Sequence, residues 1–147
     1  DVRRELVAAG VLDEQPGSVD AGLYAPEQVA AVYRDVLRRA EAALAAGSSV
    51  ILDGTWRDDA QRAAAGELAS RTGAAFVECV CEVPLAAAQQ RIAARVGSTS
   101  DATAEVAAAL ANGAERPGAH RIDTGRPVAA IADETTRLYR RAVPEAE

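Results

Sequence analysis

Three short apolar runs constrain this chain most. They are "SVILD" at 49–53, "AAFVECVCEV" at 74–83 and "HRIDT" at 120–124, each closed by polar or turn residues and each followed by a segment of helical period. A brief apolar run bounded by turn signals is the pattern of a buried strand. The longest periodic segment is 26–46, where Val29, Val32, Tyr33, Val36, Leu37, Ala40 and Leu44 share one helical face. Pro26 suits its first turn and Gly47 the position past its end. Further helices are predicted over 1–9, over roughly 57–71 to a stop at Gly73, from Pro84 to near Gly97, over "ATAEVAAALAN" at 102–112, and from near Pro127 onward. The second of these opens at "TWRD", where Thr55 and Asp58 have the spacing of a variant capping box. Residues 10–25 read as a loop punctuated by glycine and proline, and 144–147 as a flexible tail.

Strands that alternate with helices predict βαβ units, hence an α/β fold whose parallel sheet is covered on both faces. Three strands are few for a complete doubly wound domain. The 147 residues suffice for one domain, and 49% hydrophobic with 26% charged residues is a globular composition. Aromatics supply only 3%, so alanine fills much of the apolar fraction and closely packed helices are expected. No apolar stretch reaches the roughly 18 residues of a membrane span, and no signal peptide is visible. The net charge of −6 argues against non-specific nucleic-acid binding. Cys79 and Cys81 fall on one face of a strand and read as buried thiols in a reducing, cytoplasmic compartment. His120 is the only histidine, too few partners for a Cys/His metal site. Methionine is absent, and all 16 basic residues are arginine. The expectation is a piece of a longer protein, without any lysine-dependent site.

Several pieces share an order and spacing with a known family: "DVRREL" at 1–6, "GLYAPEQVAAVY" at 22–33, "LAAGSSVILDGTW" at 44–56, "AQR" at 60–62, "CEVPLAAAQQRIAAR" at 81–95, "SDATAEV" at 100–106 and "IDT" at 122–124. Together they resemble P-loop kinases of the small-molecule type, and most closely the predicted AAA-type ATP-binding kinases often fused behind an aminoglycoside phosphotransferase-like domain. Polynucleotide kinase, zeta toxins, gluconate kinase and adenylate kinase are relatives. The resemblance implies a three-layer P-loop NTPase kinase-like parallel sheet, incomplete here. The family's first strands and its G-x-x-x-x-G-K-[ST] phosphate loop would lie before "DVRR", so residues 1–143 would be the C-terminal portion of one such domain. The chain alone is then not expected to be an active kinase.

The resemblance also implies roles. Asp1 and Arg4 form D-x-x-R, with Asp1 as the base for an attacking hydroxyl and Arg4, or its neighbour Arg3, holding substrate. The plain alternative is a helix cap followed by solvated arginines. "LDGTWR" places Asp53 near Mg²⁺, indirectly through water, and Arg57 near substrate phosphate. The D-x-T pattern with a later arginine gives Thr55 and Arg62 as further substrate residues. Otherwise Thr55 is a helix N-cap, and the two arginines are surface residues. An unpaired carboxylate beside a buried strand is costly, which also marks Asp53 for function. Trp56, the only tryptophan, lines the pocket or covers a helix end. Arg91 and Arg95 would belong to a mobile lid that closes over the transferring phosphate; the alternative is a solvated helix face. Asp123 and Thr124 sit where relatives approach adenine. The implied cofactors are ATP and Mg²⁺, the partner a small-molecule substrate, with a fused upstream domain and neither nucleic acid nor membrane. Two other readings stay open: a non-catalytic, degenerate P-loop-like binding module, and a zeta-toxin-like nucleotide-sugar kinase.

Overall fold

The computed structural model describes residues 2–12, 25–94 and 116–143. The predicted helix at 102–112, Asp1, Arg95 and the tail at 144–147 lie outside the described residues. The chain divides into two compact units, Asp1–Ala74 and Ala75–Glu147.

In the first unit, α1 (Val2–Ala8), α2 (Pro26–Ala45) and α3 (Asp59–Thr72) form where the periodicity places them. Helix α2 packs against both α1 and α3. Pro26 stands in its first turn, where the missing N–H has no intrahelical acceptor to lose. Gly47 and Gly73 end α2 and α3 at φ 79° and 67°. The amides after them return to the preceding turn, Ser48 N–H to Ala43 O at 3.0 Å and Ala74 N–H to Ala69 O at 2.9 Å. Such left-handed stops satisfy carbonyls that would otherwise lack donors. Ala40 of α2 and Ala65, Leu68 and Ala69 of α3 are all buried.

Helix α3 opens differently from the expectation. Its cap is Asp58, whose carboxylate accepts from Ala60 N–H at 2.8 Å, not Thr55. Both residues are good caps. Here Thr55 lies three residues ahead of the Asp58 cap and its hydroxyl meets Tyr33 instead.

The predicted buried strand at 49–53 is also corrected. Residues 48–53 carry no strand and join no ladder among the described residues. Val50 and Leu52 are half-buried, whereas Ile51 is 96% exposed. The segment therefore buries one side only. A run of three apolar residues cannot distinguish that arrangement from burial on both faces.

The second unit holds β1 (Cys79–Glu82), α4 (Leu85–Ala93), β2 (His120–Asp123) and α5 (Val128–Ala142). Strands β1 and β2 pair in parallel, Cys79 opposite His120 and Glu82 opposite Asp123. Backbone bonds from His120 N–H to Glu78 O and from Thr124 N–H to Glu82 O, both 2.8 Å, extend the pair at its two ends. Parallel neighbours need a crossover connection, and α4 lies in it. This is an α/β arrangement with a two-stranded parallel sheet. The run at 74–83 shortens to four paired residues, because residues 74–78 find no ladder partner among the described residues. Ile122 is the innermost side chain at 1% exposure.

Cys79 and Cys81 share a face, as expected, but that face is exposed and the expected buried thiols are not found. Partial shielding, and then the neighbouring Cys81, push the Cys79 thiol above its ordinary range. No described helix is long and apolar enough to cross a membrane.

Candidate functional site

Residues 52–62 of the first unit make a corner between an extended segment and α3. Trp56 is its hinge. The residue has φ +45°, a backbone conformation that a bulky side chain enters only under constraint, at a cost of about 1–3 kcal/mol. Several contacts hold it there. Its N–H donates to the Tyr33 hydroxyl at 2.9 Å. Its indole Nε1–H donates to Leu52 O at 3.3 Å. Its carbonyl accepts from Arg62 Nη1. Its ring lies 4.4 Å from that of Tyr33, tilted by 56°. Tyr33, Trp56 and Ala65 are buried together, with Val29, Val36, Leu37 and Leu52 packed around them.

Tyr33 reaches further. Its hydroxyl is 3.3 Å from Thr55 Oγ1, and either oxygen can donate. It also crowds Gly54, where a Cβ would stand 2.9 Å from the phenol oxygen and 3.3 Å from Trp56 Nε1. Glycine is required at this position by close approach. Three consecutive residues, Gly54 to Trp56, are thus shaped by one side chain from α2.

Sequence expectation did not single out Tyr33. It appeared there as one member of an apolar stripe. The available signal was chemical: a tyrosine in a buried stripe must place its hydroxyl on a partner. A glycine and a tryptophan two residues apart are suitable neighbours for it.

Of the three carboxylates between residues 53 and 62, Asp58 caps α3 and Asp59 pairs with Arg62. Asp53 stands exposed at the corner's leading edge. The cost of an unpaired carboxylate beside a buried strand does not apply to it, since neither the strand nor the burial is found. A lone exposed carboxylate remains compatible with Mg²⁺, which keeps several waters and takes one or two protein carboxylates beside substrate phosphate. No group of three or more His, Cys, Asp or Glu side chains suited to a metal occurs among the described residues. Arg57 is exposed, whereas Arg62 is half-buried and its guanidinium is engaged by Trp56 and Asp59. On α1, Arg4 is exposed and Arg3 half-buried.

In the second unit two candidates meet. Arg91 of α4 donates to Thr124 O at 2.7 Å and to Thr124 Oγ1 at 3.4 Å. The Thr124 hydroxyl donates to Glu82 O at 2.8 Å, the same carbonyl that the Thr124 amide uses. Arg91 is therefore tied to the junction where β1 and β2 end. Asp123 is exposed and folds back on its own turn, accepting from Gly125 N–H at 2.8 Å.

A parallel βαβ element, with polar residues gathered at the carboxyl ends of its strands, is the layout by which open α/β domains hold ligands. The family comparison agrees in class. Residues 1–117 match the AAA domain family, a P-loop NTPase-like kinase family, and the chain belongs to it. Domains of this family are P-loop kinase-like and nucleotide-binding, and P-loop NTPase-like families generally bind nucleotide with Mg²⁺. Among curated proteins, an uncharacterized protein of Mycobacterium tuberculosis is 46% identical over 144 residues, which is 97% of this chain and 29% of the relative. An uncharacterized protein of Mycobacterium bovis matches with the same identity and coverage. The chain thus spans under a third of the length of the curated relatives it matches. No solved structure matches.

Proposed function

We propose that this chain is part of an ATP-dependent phosphotransferase that moves the γ-phosphate of ATP to a hydroxyl or phosphate of a small molecule. The observation that carries the reading is the family match over residues 1–117, which spans the D-x-x-R start, the Asp53 corner and α4 in one stretch. In this reading the acceptor hydroxyl gives its proton to the Asp1 carboxylate as its oxygen bonds to the γ-phosphorus. The bond to the bridging oxygen of ADP breaks. Arg4 holds the substrate. Asp53 serves Mg²⁺ through water, and the metal supplies charge neutralisation at the phosphates. Thr55 and Arg57 face the substrate. Arg57 is preferred over Arg62 as the phosphate ligand, because the Arg62 guanidinium is already engaged within the corner. Arg91 and Arg95 offset charge on the transferring group, and Asp123 with Thr124 approaches the adenine. A fused upstream domain belongs to the same reading.

A longer polypeptide that includes a G-x-x-x-x-G-K-[ST] loop upstream of Asp1 provides the test. Incubated with Mg²⁺, ATP and a panel of sugars, nucleotide sugars, nucleosides and polyols, it is expected to label one acceptor class. Absence of γ-phosphate transfer to every acceptor and to water would falsify the reading in favour of a binding module. Labelling confined to a nucleotide sugar would assign the zeta-toxin-like substrate.

A further inference from the structure

We propose that Tyr33 is a positioning residue that aims the Asp53–Arg57 corner, through a single phenol oxygen that accepts from the Trp56 amide and meets the Thr55 hydroxyl. The inference rests on the phosphotransferase reading only for what the corner does. The geometry of the lock is independent of it.

Trp56 holds a left-handed backbone that an isolated tryptophan rarely adopts. Something must over-determine that conformation for it to persist. Leu52 O belongs to the corner itself and turns with it, whereas Arg62 ties the Trp56 carbonyl to α3. Tyr33 lies 23 residues away on α2, and its position is fixed by the helix pair rather than by the loop. It is the tie between the corner and α2. The phenol is buried, so its bond to the Trp56 amide is shielded from competing water. Gly54, required by the same oxygen, removes the side chain that would push the corner away. Asp53 precedes this lock directly and Arg57 follows it directly. A rotation at Trp56 would therefore swing both groups relative to α2 and α3.

Tyr33→Phe keeps the ring pair and deletes the oxygen. In this chain, amide exchange followed by NMR is expected to speed up at Trp56 by about tenfold or more. The amides of Val36 and Leu37 are expected to keep their rates, and the helical circular dichroism to be unchanged. Thr55→Val spares the bond between Tyr33 and Trp56 and is expected to leave Trp56 exchange slow. In the longer polypeptide with its phosphate loop, Tyr33→Phe is expected to lower kcat about tenfold or more while KM for ATP changes less than about twofold.

Unchanged Trp56 exchange in Tyr33→Phe overturns the lock, as does equal acceleration in Thr55→Val. Faster exchange with unchanged kcat overturns the positioning role. A longer wild-type polypeptide that transfers no phosphate defeats the phosphotransferase reading instead, and the exchange rates still decide the lock.

Discussion

Among the described residues, the two compact units bury their apolar side chains unequally. The first contains Leu12, Tyr33, Ala40, Trp56, Ala65, Leu68 and Ala69 below a tenth exposure; in the second, among the described residues, only Ile122 reaches that state. Phe76, Val128 and Tyr139 of the second unit are 50%, 81% and 48% exposed. The polar candidates follow the same division. The corner of the first unit is held by a buried aromatic pair and a phenol oxygen. The strand end of the second is held by Arg91, Thr124 and a backbone carbonyl near solvent. A strained backbone persists only where packing over-determines it, and the strained residue, Trp56, stands among the buried side chains of the first unit.

The broadest way to break this comparison is native-state hydrogen exchange. Amides in α2 and α3 are expected to be protected about a hundredfold more than those of β1 and β2, a difference of close to 3 kcal/mol in opening free energy. Equal protection in both units would show that the burial difference carries no stability difference.

A sharper test bears on the corner alone. Gly54→Ala places a methyl 2.9 Å from the Tyr33 hydroxyl and is expected to destabilise the first unit by about 1–3 kcal/mol in urea unfolding. In a Tyr33→Phe background the same change is expected to cost clearly less, since the crowding oxygen is gone. Additive effects of the two substitutions would contradict the close approach.

The smallest expected effect concerns charge between α1 and α2. Arg39 donates to Glu5 at 2.6 Å and to Asp35 at 2.7 Å. The hydrogen bond from Arg39 holds the Glu5 carboxyl below its ordinary value of 4.5. A depressed carboxyl pKa contributes stability above the unfolded value and loses it as pH falls through the folded one. The midpoint of unfolding is therefore expected to fall slightly more in the wild type than in Glu5→Gln as pH drops below 4.5. Added salt is expected to shrink the difference, because both side chains are solvent-exposed. An identical pH response in both proteins would show that the pair contributes nothing.

Much of the first unit was legible. Helix α2 was given by Pro26, its apolar stripe and Gly47, and Gly73 stopped α3 for the same local reason: both are signals carried by a few adjacent residues. The Thr55 cap was misread because Asp58 satisfies the same chemistry three residues later. The choice between them depended on Tyr33, 23 residues upstream of Trp56. The strand at 49–53 and the buried thiols of Cys79 and Cys81 failed for a related reason. Apolar character marks a segment for burial without stating which neighbours exist to bury it. At the candidate site, the motif nominates Asp53 and Arg57. The engagement of Arg62 with Trp56 and of Arg91 with Thr124 is not legible there, since both depend on where the folded chain brings a backbone carbonyl.

Phosphoryl transfer is proposed here to depend on this chain's own carboxylates, beginning with Asp1. The most direct measurement compares wild type and Asp1→Ala in the longer polypeptide that includes the phosphate loop, reading γ-phosphate transfer and ATP binding side by side. Loss of transfer with an unchanged Kd for ATP is the predicted result. Turnover that survives the substitution at the wild-type rate would contradict the account.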